Sequence, residues 1–275
     1  MPEERHPSGG ESPTDQSAIL VAAIRVRRRG RPLLLLLDYD GTLVDIAPHP
    51  ELARPTVELR ELLGRLAARA DLKVVVVSGR PVNDLQELLP VPGLDFLGSH
   101  GGEALLDGRL QSLPLAADDV RRLARWQKRL TVRLQDFQGW WIEKKPQGFA
   151  LHYRQVPAER TRDFLKIVRG WQNQVRQEGR FQLLAGRKVL EILPLAASKG
   201  AAIREILILP GFVGFFPVYL GDDETDESAF QILQSCGLTI KVGRPGAETA
   251  AAGFLPDPQA VRHFLTRLAF PREKR

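Results

Sequence analysis

Five consecutive leucines, Leu33 to Leu37, run from Pro32 to Asp38 with no polar position between them. An apolar run of this length, ended by a charge, predicts a strand buried on both faces in the middle of a parallel sheet. Next, Val57, Leu59, Leu62, Leu63, Leu66 and Ala67 recur at helical spacing behind Thr56, a residue suited to capping, so Thr56 to Ala70 reads as a helix. Lys73 to Ser78 encloses four valines and predicts a second buried strand, Pro81 to Leu89 a helix, and Leu94 to Ser99 a third strand. Strand, helix, strand, helix, strand is the order of a doubly wound parallel sheet.

The pattern changes after Gly102. A long helical period covers Ala117 to Phe137, two strands follow at Trp140 to Lys145 and Gly148 to Arg154, and another helix spans Pro157 to Gln174. Phe181 to Leu184 and Val189 to Leu193 then read as strands, which gives this stretch an antiparallel character. Regular alternation resumes with a helix at Ser198 to Ile208, strands at Pro217 to Leu220 and Leu238 to Val242, and helices at Asp226 to Ser235 and Asp257 to Leu268. The chain therefore divides into a tail at 1–30, one α/β domain at 31–106 and 195–270, and a smaller α/β unit inserted at 107–194.

Composition narrows the class. The 275 residues are 43% hydrophobic and 26% charged, as in an ordinary globular protein. The one cysteine, Cys236, excludes an internal disulfide, and the N-terminal stretch has no apolar segment of signal-peptide length. A cytoplasmic protein without a membrane span is the expectation. Thirty-nine basic against thirty-three acidic residues leave a net charge of +6, which favours an anionic partner without selecting one. The basic run Arg25 to Arg31 reads as solvated charge ahead of the first strand, so no nucleic acid is expected. All four tryptophans, Trp126, Trp140, Trp141 and Trp171, lie in the inserted unit, two at helical core spacing, and packing of that unit is their expected use.

In open parallel sheets, ligands bind beyond the carboxyl ends of the strands. There the sequence supplies Asp38-Tyr39-Asp40-Gly41-Thr42, Ser78-Gly79-Arg80, Ser99-His100-Gly101-Gly102 and Gly221-Asp222-Asp223-Glu224-Thr225-Asp226, with Ser198-Lys199-Gly200 opening a helix between the last two. Asp38, Asp40 and Asp222 at one edge would repel each other without a hard cation, and Mg²⁺ suits such oxygen donors. Lys199, the Ser78 hydroxyl and the glycine-rich turns supply donors for phosphate oxygens. Carboxylates, a cation, a lysine and a hydroxyl together make a phosphoryl-transfer site. A P-loop ATPase is excluded, because no Gly-x-x-x-x-Gly-Lys-Ser/Thr stretch is present.

These residues, Asp38-Tyr39-Asp40-Gly41-Thr42-Leu43, Ser78, Lys199 and Gly221-Asp222-Asp223, resemble in order and separation the four motifs of the haloacid dehalogenase-like (HAD) phosphatases. The resemblance implies a Rossmann-like parallel-sheet core carrying a C2-type α/β cap as its insertion. It also implies that Asp38 attacks phosphorus to form an aspartyl-phosphate, that Asp40 serves as acid and then base, and that Ser78 and Lys199 hold phosphoryl oxygens. Mg²⁺ would be bound by the Asp38 side chain, the Asp40 carbonyl and Asp222. Asp223 and Asp226 either support this group or simply cap the following helix.

Within that superfamily, Ser99-His100-Gly101, Trp141-Ile142-Glu143-Lys144-Lys145 leading to His152-Tyr153-Arg154, and Gly221 to Glu227 resemble the trehalose-6-phosphate phosphatases. The implied reaction is Mg-dependent hydrolysis of trehalose 6-phosphate, the last step of trehalose biosynthesis. Implied substrate contacts are Ser78, Gly79, Arg80, His100 and Gly101 on the core, with Glu143, Lys145, Arg187, Lys188 and Glu191 on the cap. Two alternatives share the core motifs: a mannosylglycerate- or glucosylglycerol-phosphate phosphatase, and a phosphomannomutase-like phosphotransferase. A catalytically dead sensing module would require a lost motif residue, and none is lost. The partner is a small sugar phosphate, no membrane is involved, and a monomer is plausible.

Overall fold

The computed structural model describes residues 30–112, 115–145, 147–186, 188–195, 197–244 and 248–270. Of the basic run, only Gly30 and Arg31 fall within them. The strands, in chain order, are β1 (Leu33–Asp38), β2 (Leu72–Val77), β3 (Leu94–Gly98), β4 (Glu103–Leu106), β5 (Arg109–Ser112), β6 (Trp141–Lys145), β7 (Gly148–His152), β8 (Phe181–Gly186), β9 (Val189–Pro194), β10 (Phe216–Gly221), β11 (Leu238–Val242) and β12 (Gly253–Leu255). The helices are α1 (Val57–Ala67), α2 (Val82–Leu88), α3 (Ala117–Leu134), α4 (Ala158–Gln177), α5 (Lys199–Leu207), α6 (Glu227–Leu233) and α7 (Pro258–Ala269).

Eight strands form one sheet in the order β12-β11-β10-β1-β2-β3-β4-β5, parallel from β12 through β3. The leucine run lies in its middle. Leu33, Leu35 and Leu37 face the side covered by α1, α2 and α7, while Leu34 and Leu36 face the side covered by α5 and α6. All five are fully buried, each stabilising the sheet by about 1.5–3 kcal/mol relative to exposure. Thr56 caps α1 by accepting from the Leu59 N–H, and Ser198 and Asp257 cap α5 and α7 in the same way. The expected doubly wound α/β core is therefore present.

Two pieces of this sheet differ from expectation. The β4–β5 hairpin continues it antiparallel beyond β3, and β12 adds a three-residue edge. Both are short, and the hairpin is half polar, so neither produces a long hydrophobic run. The Asp107-Gly108 turn did carry a hairpin signal, since both residues take the positive φ (49° and 75°) that a two-residue turn requires.

The second sheet has the order β6-β7-β9-β8 and is antiparallel throughout. Helices α3 and α4 pack on one face through Trp126, Leu130, Phe164 and Trp171 against Phe149, Leu151 and Ile192. Its other face is free of helices and carries Glu143 and Glu191. Among the described residues no helix is long and apolar enough to cross a membrane.

Candidate active site

Three neighbouring strands, β10, β1 and β2, end at the same level and deliver Asp222, Asp38 and Ser78. Asp38 and Ser78 are buried. Lys199, the first residue of α5 and itself buried, reaches across to donate to Asp38 Oδ1 at 2.6 Å and to Asp226 Oδ1 at 2.7 Å. A lysine joining two carboxylates in a dry site stays charged. Burial alone would lower its pKa, but the charges of Asp38 and Asp226 raise it. Burial pushes the Asp38 carboxyl up, against the opposing pull of Lys199, and lifts Asp222 to about 6.

Asp226 is fully buried, and both of its oxygens accept hydrogen bonds. Its Oδ1 also accepts the Tyr219 hydroxyl at 2.6 Å, and its Oδ2 accepts the Asp223 N–H at 2.9 Å. Asp223 accepts in return from the Thr225 N–H and hydroxyl, closing a capping box. Both readings of this acidic stretch are thus realised at once: it caps the turn that starts α6 and it anchors Lys199. Nothing in the local pattern points to Tyr219, which alternation along β10 assigns to the core. Only the rule that a buried tyrosine hydroxyl finds a partner singles it out.

One carboxylate oxygen each from Asp38, Asp222 and Asp226 lies within 4.8 Å of the others. Asp226 already accepts three hydrogen bonds, so Asp38 and Asp222, which meets Thr42 Oγ1 at a long 3.5 Å, have more lone pairs to offer. Such an all-oxygen anionic donor set fits a hard divalent cation. Gly41 (φ +83°) makes room for it, since a Cβ there would overlap the Asp222 carboxylate.

Asp40 points away from this group. Arg80 grips it with two parallel bonds, Nε to Oδ2 and Nη2 to Oδ1, both 2.7 Å. The guanidinium also donates to the Pro50 carbonyl and lies 5.2 Å from the Tyr39 ring centre. Ser78 Oγ accepts from the Arg80 N–H at 3.2 Å. Behind this loop, Ser99 and His100 both adopt the left-handed conformation (φ 51° and 56°), a strained arrangement for non-glycine residues. Glu103 holds it, accepting from Ser99 Oγ at 2.8 Å and from the Val82 N–H at 3.1 Å. A Cβ on Gly79 would meet the His100 ring at 2.6 Å, and one on Gly101 would meet Ala202 at 2.6 Å, so both glycines permit close approach.

Through His100 the two sheets meet: its Nε2 lies 3.6 Å from Glu191 Oε2 on β9, and its buried Nδ1 has no partner. Lys145 stands 2.7 Å from Glu143 Oε1 and 3.8 Å from Glu191 Oε1. Partial burial works against the Glu143 charge, yet bonds from Lys145 and His152 keep its carboxyl below the ordinary range. Four of the expected sugar contacts, His100, Glu143, Lys145 and Glu191, are therefore one cluster. Lys188 is not in it; the residue occupies the exposed β8–β9 turn with φ +60°, outside the strand alternation. Arg187 lies outside the described residues.

Comparison with known proteins supplies a family. The trehalose-phosphatase family profile matches residues 36–253. A trehalose 6-phosphate phosphatase of Zea mays is 32% identical over 97% of this chain and 75% of its own length. A trehalose-phosphate phosphatase of Mycobacterium avium is 34% identical over 89% of this chain, which spans 64% of that relative. The solved structure of Aspergillus fumigatus trehalose-6-phosphate phosphatase is 25% identical, with a TM-score of 0.67 over 96% of this chain and all of that one. Matched along most of its length and folded alike, the chain belongs to the trehalose-phosphatase family.

Proposed function

We propose that the chain hydrolyses trehalose 6-phosphate to trehalose and phosphate through a phosphoryl group carried transiently on Asp38. The observation that supports this most is the Lys199 bridge between Asp38 and Asp226 at the end of β1, in a member of this family. Lys199 offsets the charge of Asp38, so the carboxylate can approach a phosphate dianion. Asp38 attacks phosphorus, the bond to the sugar oxygen breaks, and Asp40 delivers the proton that the leaving alkoxide needs. Water then attacks the aspartyl-phosphate with Asp40 as base, which returns Asp38. Arg80, holding both oxygens of Asp40, positions that group.

Ser78 and Lys199 hold phosphoryl oxygens in this reading. Mg²⁺, held by Asp38, the Asp40 carbonyl and Asp222, would supply positive charge for the phosphoryl oxygens. His100, Glu143, Lys145 and Glu191, which stand together, hydrogen-bond the sugar. Residues 31–106 and 195–270 form the catalytic core and 107–194 the cap that closes on it. A cytoplasmic location agrees with the single exposed, free Cys236.

The test is phosphate release from a panel containing trehalose 6-phosphate, mannosyl- and glucosyl-linked phosphates and glucose 1-phosphate. Trehalose 6-phosphate is expected to give the highest kcat/KM, with phosphate and free sugar as products. A better mannosyl- or glucosyl-linked substrate, or isomerisation of glucose 1-phosphate without phosphate release, would refute the assignment.

A further inference from the structure

Three of the four tryptophans serve the packing that composition suggests. Trp126 and Trp171 meet edge to face with centroids 6.1 Å apart in the core under α3 and α4. Trp140 donates its indole N–H to the Leu134 and Phe137 carbonyls at 3.0 Å. Trp141 departs from that expectation, being 45% exposed. As the first residue of β6 it shares a face with Glu143 and Lys145, because Ile142 between them packs into the helix-covered core. Its ring lies flat on His152, with centroids 4.7 Å apart and planes within 3°. His152 is fixed in turn by its 2.8 Å bond to Glu143.

One face of the indole is thus buttressed and the other is left to solvent. Glu143, Lys145, Glu191 and His100 stand on the same helix-free side as charged donors and acceptors. A rigid apolar plate bordered by such groups matches the chemistry of a pyranose ring, which has an apolar C–H face and a rim of hydroxyls. Glu191, which makes the contact with His100, stands two strands across and two residues along from Trp141, roughly 12 Å, so the plate is well separated from that contact. A one-ring phosphate held at Asp38 would not need it; a two-ring substrate has a second ring to place.

We propose that Trp141, backed by His152, is a stacking platform for the sugar ring that does not carry the phosphate, and that it favours a disaccharide phosphate over smaller esters. The inference rests on the trehalose 6-phosphate reading above. Steady-state kinetics of wild type, Trp141→Ala and Trp141→Phe on trehalose 6-phosphate and on p-nitrophenyl phosphate test it. Trp141→Ala should raise KM for trehalose 6-phosphate roughly three- to tenfold, with kcat and both constants for p-nitrophenyl phosphate unchanged. Trp141→Phe should restore most of the affinity. Should the alanine variant not fold, Trp141→Gln, which keeps bulk without the apolar plate, provides the same comparison. An unchanged KM, an equal loss on both substrates, or a change of oligomeric mass with no KM effect would overturn the proposal. If the wild type hydrolyses p-nitrophenyl phosphate but not trehalose 6-phosphate, the substrate reading itself fails; if only the variants behave alike, the platform alone fails.

Discussion

Asp226→Asn is the most revealing change outside the nucleophile, because it alters one charge and almost no volume. Asp226 accepts three hydrogen bonds, from Lys199, Tyr219 and Asp223. An asparagine has one acceptor oxygen. Turned toward Lys199 and Tyr219, it sets its NH₂ against the Asp223 N–H; turned the other way, it sets NH₂ against Lys199. Either way one donor loses its partner, and Lys199 keeps Asp38 as the one carboxylate it bonds directly. Leaving a buried donor unpaired costs about 1–3 kcal/mol, and breaking a buried ion pair about 3–5 kcal/mol. A loss of about 3 kcal/mol corresponds in a chain of this size to a Tm lower by roughly 6–12 °C. Lys199, already 2.6 Å from Asp38, should also lose the second carboxylate that fixes its position at the phosphoryl oxygens, lowering kcat roughly 10- to 100-fold. Tyr219→Phe, which removes one of the three donors, should lie between the variant and wild type. Thermal melts and phosphate release on the purified proteins measure both effects. An Asp226→Asn enzyme with wild-type Tm and kcat would show that Asp226 does not hold Lys199.

Arg80→Ala should lower kcat by roughly 10- to 100-fold, since Asp40 loses both of the bonds it accepts from Arg80; Arg80→Lys should rescue only partly, because an ammonium cannot make the paired bonds. Equal kcat in Arg80→Ala and wild type would remove Arg80 from the positioning role. Burial raises Asp222 to about 6, above the ordinary carboxylate value, so between about pH 4 and pH 6 the cation-free folded state binds more protons than the unfolded chain and loses stability as pH rises. A bound cation relieves that penalty, so the Tm gained by adding Mg²⁺ to chelator-treated protein should grow from about pH 5 to about pH 7. A gain that does not change across this window would contradict the assignment of Asp222 as a ligand.

What could be read from the sequence was whatever local pattern encodes. The leucine run marked the central strand, and the strand ends at Asp38, Ser78 and Asp222 marked one sheet edge where polar residues gather. The residues that were not legible depend on register between distant segments. Tyr219 looks like any core position until β10 is laid beside β1 and its hydroxyl meets Asp226. Glu103 belongs to a strand of only four residues, too short to show a period, so its support of the Ser99–His100 turn emerges only from the β3–β4 pairing. Alternation along a strand could not position Lys188, because a positive φ in the β8–β9 turn takes it out of the strand pattern. Trp141 is indistinguishable from the other three tryptophans of the inserted unit until β6 takes its place in the sheet, where it lies on the face away from the helices.

The most direct test of the proposed chemistry is phosphate release from trehalose 6-phosphate by Asp38→Asn, with and without Mg²⁺. The amide preserves the shape of Asp38 and the carboxylates of Asp222 and Asp226 but cannot attack phosphorus. Turnover is expected to fall to the background of the assay while the protein still melts cooperatively. Substantial Mg²⁺-dependent phosphate release by the variant would mean that the phosphoryl group never passes through Asp38.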